Sequence, residues 1–246
     1  MIIETEDLCV RLGARDILKG INLKVSRAEY FVILGPSGSG KTVLLKTFLG
    51  LIRSFSGKLR VLGHDMFRIK YKELLQLRRK IGMVFQNAAL FDSMKVWENV
   101  GFSFLEHSNL PEEEIRVKTR RVLEAVGLFD VLDKMPEELS GGMRKRVGIA
   151  RALIGEPEVL FYDEPTAGLD VVTSSSILNL MKNIHSQFNT TDIIVTHDLT
   201  IARDFADKIA IINEGKILAT GRWDDLLKSN DEFIKTMLHH IERKGR

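Results

Sequence analysis

The apolar positions of this chain change period as it runs, and each change marks a different kind of element. Residues 1–63 carry short apolar runs, IIETEDLCV, ILKGINLKV, YFVILG and GKLRVLG, bounded by turn residues, and these predict strands. A helix from about Gly40 to Leu51 interrupts them, and KIGMVF (80–85) predicts one more short strand. Over 97–135 the period lengthens. PEEEIRVKTRRVLEAVGL has acids in its first turn and Ile115, Val122, Leu123 and Val126 at helical spacing, and Gly127 stops it. VLFYD (159–163), TDIIVT and KIAIIN then predict strands, with a helix before and after TDIIVT, and GKILATG closes the sheet region. The last helices carry Trp223, Leu226 and Leu227, then Phe233, Met237 and Ile241. Strands alternating with helices predict an α/β fold with a largely parallel sheet, and the helical block between early and late strands predicts a second lobe.

Composition narrows the partners. The chain has 246 residues, 44% hydrophobic and 28% charged, which is ordinary for a soluble globular protein. A net charge of +3 is too small an excess to argue for nucleic acid. Cys9 is the sole cysteine, so no intrachain disulfide forms. The opening MIIETEDLCV has acids where a signal peptide needs bases, and no apolar run approaches the roughly 18 residues a membrane span requires. The chain is expected in the cytosol, or held at a membrane by a partner.

The chemistry begins at GPSGSGKT (35–42), which follows YFVIL and precedes a helix. It fits G-x-x-x-x-G-K-[ST] at every fixed position and in the right context. Successive backbone N–H groups face one anion, the helix start adds its positive end, Lys41 supplies charge to the terminal phosphates, and Thr42 can coordinate Mg²⁺. This predicts nucleoside triphosphate binding, and by itself leaves kinase, GTPase and mechanical ATPase open. VLFYDE (159–164) is an apolar strand ending in two acids. Asp163 can stand beside the magnesium of the phosphate loop and Glu164 can orient an attacking water; the alternative is a strand running into an exposed acidic turn. His197 follows TDIIVT at the carboxyl end of a strand, where ligand sites gather. Gln86 ends KIGMVF, where its amide could reach metal or water. LSGGMRKRVGIARAL (139–153) opens a helix on a serine and two glycines, with Ser140 as cap and Met143, Val147, Ala150 and Ile154 on one face. Arg144, Lys145 and Arg146 read as largely solvated charge.

GPSGSGKT, Gln86, LSGGM, VLFYDE, AGLD (167–170) and His197 occur in that order over essentially the whole chain, and together they resemble the nucleotide-binding domain of ABC transporters. The resemblance implies one domain over 1–246. Its fold would be α/β: a P-loop NTPase (RecA-like) core over about 1–86 and 155–220, with antiparallel β strands at the N-terminus, an inserted α-helical subdomain over about 87–154, and C-terminal helices over about 221–246. It implies ATP and Mg²⁺ as cofactors. Gly35, Pro36, Ser37, Gly38, Ser39, Gly40, Lys41 and Thr42 would bind the nucleotide, with Gln86 as the lobe-linking glutamine. Thr42, Gln86 and Asp163 would serve the metal, Glu164 would be the catalytic carboxylate, and His197 would hold the γ-phosphate. Ser140, Gly141 and Gly142 would close on ATP held by a second copy packed head to tail, and Asp170 would meet that copy.

Met143, where most relatives have glutamine, and QNAALFDSMKVWENVGF (86–102) are similar to the ATPases of MCE-type lipid transporters, the Mla phospholipid systems and their kin. That resemblance implies integral-membrane permease subunits and an MCE-domain lipid-binding protein as partners, and no nucleic acid. It places the chain in the cytoplasm, peripheral on the inner (plasma) membrane through the permease, with phospholipid as cargo. Phe91, Met94, Val96 and Trp97 would give the permease surface apolar anchors, unless they pack the helical lobe's own core. A transporter ATPase for another cargo, such as a small solute, is the first alternative; a soluble ABC ATPase outside transport is the second. Residues 8–16, LCVRLGARD, lack the aromatic that usually stacks on adenine, leaving Val10 or Leu12 for apolar contact.

Overall fold

The computed structural model describes residues 1–242, with side chains described through Leu238; the side chain of Ile241 therefore lies outside the described residues. The chain divides into two compact units, one made of residues 1–77 together with 191 onward, the other of residues 78–190.

The first unit holds two sheets. β1 (Ile3–Leu12) pairs antiparallel with β2 (Arg15–Val25) and β4 (Phe55–Val61), and β5 (His64–Asp65) pairs with β4. In β1 the buried positions switch parity, from Ile3 and Thr5 to Leu8 and Val10. The switch occurs where the register of both pairings breaks, at Asp7, whose φ is 48°. An irregularity of one residue swaps the faces of every later side chain, so the apolar pattern resumes in phase with the core. Thr5 sits in that core because its Oγ1 donates to Ile21 O (2.9 Å) and accepts from Leu23 N (2.8 Å).

The second sheet of this unit is built on β3 (Tyr30–Leu34). It lies parallel between β8 (Thr191–Thr196) and β9 (Lys208–Asn213), and β10 (Lys216–Gly221) pairs antiparallel with β9. β3 is apolar throughout and buried along its whole length, as a strand covered on both faces must be; β8 is buried along its whole length too, with Thr191, Asp192 and Thr196 flanking its apolar centre. α1 (Lys41–Phe48) follows β3, α7 (Leu199–Phe205) follows β8, and α8 (Trp223–Leu226) and α9 (Glu232–Glu242) follow β10.

The second unit pairs β6 (Ile81–Val84) in parallel with β7 (Val159–Asp163), and carries α3 (Val96–His107), α4 (Glu112–Ala125), α5 (Gly141–Leu153) and α6 (Val171–Phe188). α4 stops as its sequence predicts: the amides of Gly127 and Leu128 fold back to Glu124 O and Leu123 O, both at 2.9 Å. α2 (Tyr71–Arg79) has no counterpart in the sequence reading. Only Leu74 and Leu77 on it are buried, too few apolar positions to announce a helix. No described helix is long and apolar enough to cross a membrane.

Candidate functional site

The buried strand β3 delivers the chain into Gly35, and the loop then turns through Pro36–Ser39 into α1. Gly40 stands at the N-cap of α1 with φ 107° and ψ 1°, a left-handed backbone open to glycine. A Cβ there would lie 2.9 Å from Leu18 Cδ2. Lys41 is 6% exposed, and its Nζ donates to Gly35 O (2.8 Å) and Pro36 O (3.0 Å), so the ammonium is folded over the loop. Thr42, next on the helix, is exposed. Among the described residues, Ser39 Oγ is buried without a hydrogen-bond partner. A stranded hydroxyl, an ammonium and a helix start around one turn are a donor set that a polyphosphate satisfies. These residues therefore fit a nucleoside triphosphate with magnesium carried on its phosphates.

Register brings residues distant in sequence to this loop. Leu34 pairs with Thr196 on one side and Ile211 on the other, and Gly35 N donates to Thr196 O (3.2 Å). His197, the next residue along, is exposed at the same end of the sheet. Its strand exit is set by Thr196 Oγ1, which accepts from Asp198 N (3.0 Å), while Asp198 caps α7 through Thr200 N (2.8 Å). The turn between β9 and β10 props the loop from beneath. Gly215 N donates to Ser39 O (3.1 Å), and Lys19 N donates to Gly215 O (2.8 Å). Gly215 has φ 78°, and a Cβ on it would stand 2.1 Å from Ile17 O.

In the second unit the pairing of Val84 with Tyr162 sends Gln86 and Glu164 out of neighbouring strands at their carboxyl ends. Gln86 is exposed; Asp163 and Glu164 are half-buried. Glu164 is left-handed, with φ 47°. α5 opens on Ser140, whose Oγ accepts from Met143 N (3.3 Å). Ser140 and Gly141 are exposed and Gly142 half-buried, so the helix start faces outward. Asp170 caps α6, accepting from Thr173 N (2.9 Å) and Thr173 Oγ1 (2.6 Å). The Thr173 hydroxyl, then its amide, hold the Asp170 carboxyl below the usual aspartate range.

Of the three bases after Gly141 and Gly142, Arg144 is exposed as expected, but Lys145 is buried and Arg146 half-buried, so these two are not largely solvated charge. Lys145 is 5% exposed and its Nζ donates to Gln86 O and Glu164 O. Burial pushes this ammonium below the usual lysine range, against the opposing pull of Asp163 and Glu164. Arg146 donates to Val126 O and, at 2.8 Å, to Ser176 Oγ, and Arg144 donates to Leu139 O (2.6 Å). One signal in the sequence pointed to Lys145: it lies three and four residues before Gly148 and Ile149, on the face that α5 buries.

Two of the four apolar residues expected to anchor a permease lie inside the helical unit instead. Val96 is 0% and Trp97 7% exposed, and Arg116 lies 5.0 Å over the Trp97 ring. Side chains so placed hold α3 to its neighbours and cannot serve as surface anchors. Phe91 is exposed, its ring 4.8 Å from that of Phe102, and Met94 is half-buried. Asn99, which the sequence reading passed over, shapes this segment. Its Oδ1 accepts from Phe91 N (2.7 Å), and its Nδ2 donates to Phe91 O (3.0 Å) and Met94 O (2.9 Å). A lone asparagine in the apolar run of α3 was the available signal. Beside this segment lies a cleft of about 500 Å³, lined by Met83, Phe102 and Phe104 with Arg78, Arg79 and Lys118.

A family model described as ABC transporter matches residues 18–167. The chain is 39% identical over 238 residues to the intermembrane phospholipid transport system ATP-binding protein MlaF of Haemophilus influenzae, covering 95% of this chain and 90% of that protein. It is 40% identical over 223 residues to the methionine import ATP-binding protein MetN of Carboxydothermus hydrogenoformans, covering 89% of this chain and 66% of that one. Among solved structures it resembles the dimeric, ADP- and Pi-bound post-hydrolysis state of the ATP-binding cassette MJ0796. The TM-score is 0.81 at 30% identity, over 89% of this chain and 98% of that one.

Proposed function

The chain belongs to the ABC transporter family, as an ATPase that takes ATP with Mg²⁺, and we propose on that footing that it drives a membrane permease moving phospholipid between membranes. The observation that carries the cargo is coverage. The likeness to MlaF runs over 90% of that protein, whereas the likeness to MetN leaves about a third of MetN unmatched. A small-solute transporter is the second reading, favoured by an identity to MetN of 40%.

In this proposal Lys41 and the amides of the 35–42 loop bind the phosphates, and Thr42, Gln86 and Asp163 hold the metal, which supplies charge neutralisation when bound. Glu164 accepts a proton from the attacking water, and His197 donates to the phosphate being released. The outward-facing start of α5 at Ser140–Gly142 serves the nucleotide of a second copy. The exposed valines beside Asp170, Val171 at 86% and Val172 at 80%, support a surface that is covered in that dimer. Phe91 and Met94, with the adjoining cleft, receive the permease on the cytoplasmic face of the inner membrane, and an MCE-domain protein completes the complex. Arg78, Arg79 and Lys118 at the cleft suit a permease segment with acidic residues.

The test is to co-purify the chain with its membrane partners and reconstitute them in vesicles. ATP-dependent transfer of labelled phospholipid between vesicle populations is the expected result. ATP-dependent uptake of labelled methionine or another small solute, with no lipid transfer, would overturn the cargo and leave the ATPase standing.

A further inference from the structure

Among the described residues, Lys145 is a buried cation to which the proposed site gives no part. The interior face of α5 meets the segment after β6 through three residues spaced by three, Lys145, Gly148 and Arg151. Lys145 Nζ donates to Gln86 O. Gly148 lies so close beneath the segment that a Cβ on it would stand 3.1 Å from Ala88 Cβ. Arg151 donates to Ala88 O (2.5 Å) and Ala89 O (2.6 Å), and its guanidinium lies 6.0 Å from the Phe85 ring centre. The gripped backbone is unusual: Ala88 and Ala89 have φ 57° and 47°, left-handed values that cost non-glycine residues about 1–3 kcal/mol each. Such a conformation persists where its surroundings over-determine it, and here Arg151 holds both of its carbonyls while Lys145 holds that of Gln86 just before it.

Lys145 reaches further than Arg151. It also donates to Glu164 O at 3.4 Å, on a residue whose own backbone is left-handed. One ammonium thus bonds the carbonyls of two residues that leave different strands, Gln86 after β6 and Glu164 after β7. Burying an ammonium is costly unless it is compensated. Methionine or leucine would fill the same space at less cost, but neither could join the two carbonyls.

We propose that Lys145 is a positioning residue for ATP hydrolysis, setting the backbone of Glu164 and of Gln86 together through its ammonium. It does not touch the nucleotide; it acts through Glu164. The proposal rests on the catalytic role given to Glu164, and its test separates the two. Lys145→Met keeps length and removes the donor; Lys145→Arg keeps a donor that can serve two carbonyls. Both are compared with wild type and Glu164→Gln, as full-length chains, for ATP affinity, KM and kcat.

Displacement of a reacting group by about 1 Å costs on the order of a hundred-fold in rate. Lys145→Met is therefore expected to lower kcat by about ten- to a hundred-fold. ATP affinity and KM stay within about two-fold, and Lys145→Arg recovers most of the rate. A normal kcat in Lys145→Met beside an inactive Glu164→Gln overturns the proposal and leaves the role of Glu164 intact. Equal loss in Lys145→Met and Lys145→Arg, or loss of ATP affinity in step with kcat, also overturns it. Normal turnover by Glu164→Gln removes the role of Glu164 and the proposal with it. If Lys145→Met does not fold, Lys145→Leu, which also fills the space and removes the donor, is expected to show the same split between kcat and KM, and an unchanged kcat there overturns the proposal.

Discussion

Gly215 lies far from the phosphate loop in sequence and carries no chemistry, yet replacing it with alanine should damage nucleotide binding. Three costs add. A left-handed backbone costs alanine about 1–2 kcal/mol relative to glycine. The new Cβ would stand 2.1 Å from Ile17 O and 3.0 Å from Ile17 C, so the turn must move away from β2. Moving it strains the bonds from Lys19 N to Gly215 O and from Gly215 N to Ser39 O. Each is worth about 0.5–1.5 kcal/mol net, which brings the whole to about 2–5 kcal/mol. Gly63 is the internal control: its φ is 81°, and a Cβ there meets nothing within 4 Å. Gly63→Ala should therefore cost only the backbone part, about 1–2 kcal/mol. Urea unfolding of the two variants gives the stabilities, and titration with ATP gives the affinities. Gly215→Ala should be the less stable and should bind ATP more weakly, because Ser39 loses its prop; Gly63→Ala should bind as wild type does. Equal destabilisation of both, or unimpaired ATP binding by Gly215→Ala, would refute the claim that the β9–β10 turn supports the loop.

Glu164→Gln should bind ATP normally and lose about 10²–10⁴-fold in turnover, with closed dimers accumulating; phosphate release and light scattering read both, and a normal rate would end the general-base role. Lys41→Ala removes a charged donor and leaves Gly35 O and Pro36 O without it, so ATP affinity should fall by about ten-fold or more in equilibrium binding, and unchanged affinity would refute the phosphate-loop assignment. Asp170→Ala should destabilise α6 near neutral pH. Because Thr173 lowers the Asp170 pKa, the stabilisation is present above the ordinary value of 3.8 and is lost as pH falls through the lowered one. The stability gap between variant and wild type should close there; a gap that persists in strong acid would show that the cap does not depend on charge.

The sites legible in the sequence were those whose chemistry sits in contiguous residues. GPSGSGKT announces itself through its own glycines, Lys41 and the strand before it, and the loop is where the motif predicts, while the support it takes from Thr196 and Gly215 lies too far along the chain to be read. Ser140 was legible for the same reason, since a cap bonds to an amide three residues on; the cap made by Asp170 follows the same rule, but that residue was read only as a contact with a second copy. Lys145 was misread because a basic run after a helix start looks solvated, and its acceptors lie 59 and 19 residues away. Val96 and Trp97 were misassigned because an apolar residue at a helix start serves a core and a docking surface equally well. α3 turns both inward, and Asn99 then spends its amide on the preceding turn. The parity switch in β1 was invisible because Asp7 is an ordinary residue in an unusual backbone.

The discontinuity of the first unit sets an order of events during synthesis. Residues 78–190 form a continuous stretch that emerges whole. The phosphate loop, by contrast, leaves the ribosome early but waits for β8, β9 and Gly215 before its neighbours exist. At about 5–20 residues per second, the interval from Gly35 to Gly215 is roughly 10–40 s. Until β8 begins at Thr191, the nascent chain carries the apolar strand YFVIL without either of its sheet neighbours. An unpaired apolar strand is open to aggregation in that interval, and ATP cannot help, because the loop that would grip it is among the last parts to take shape.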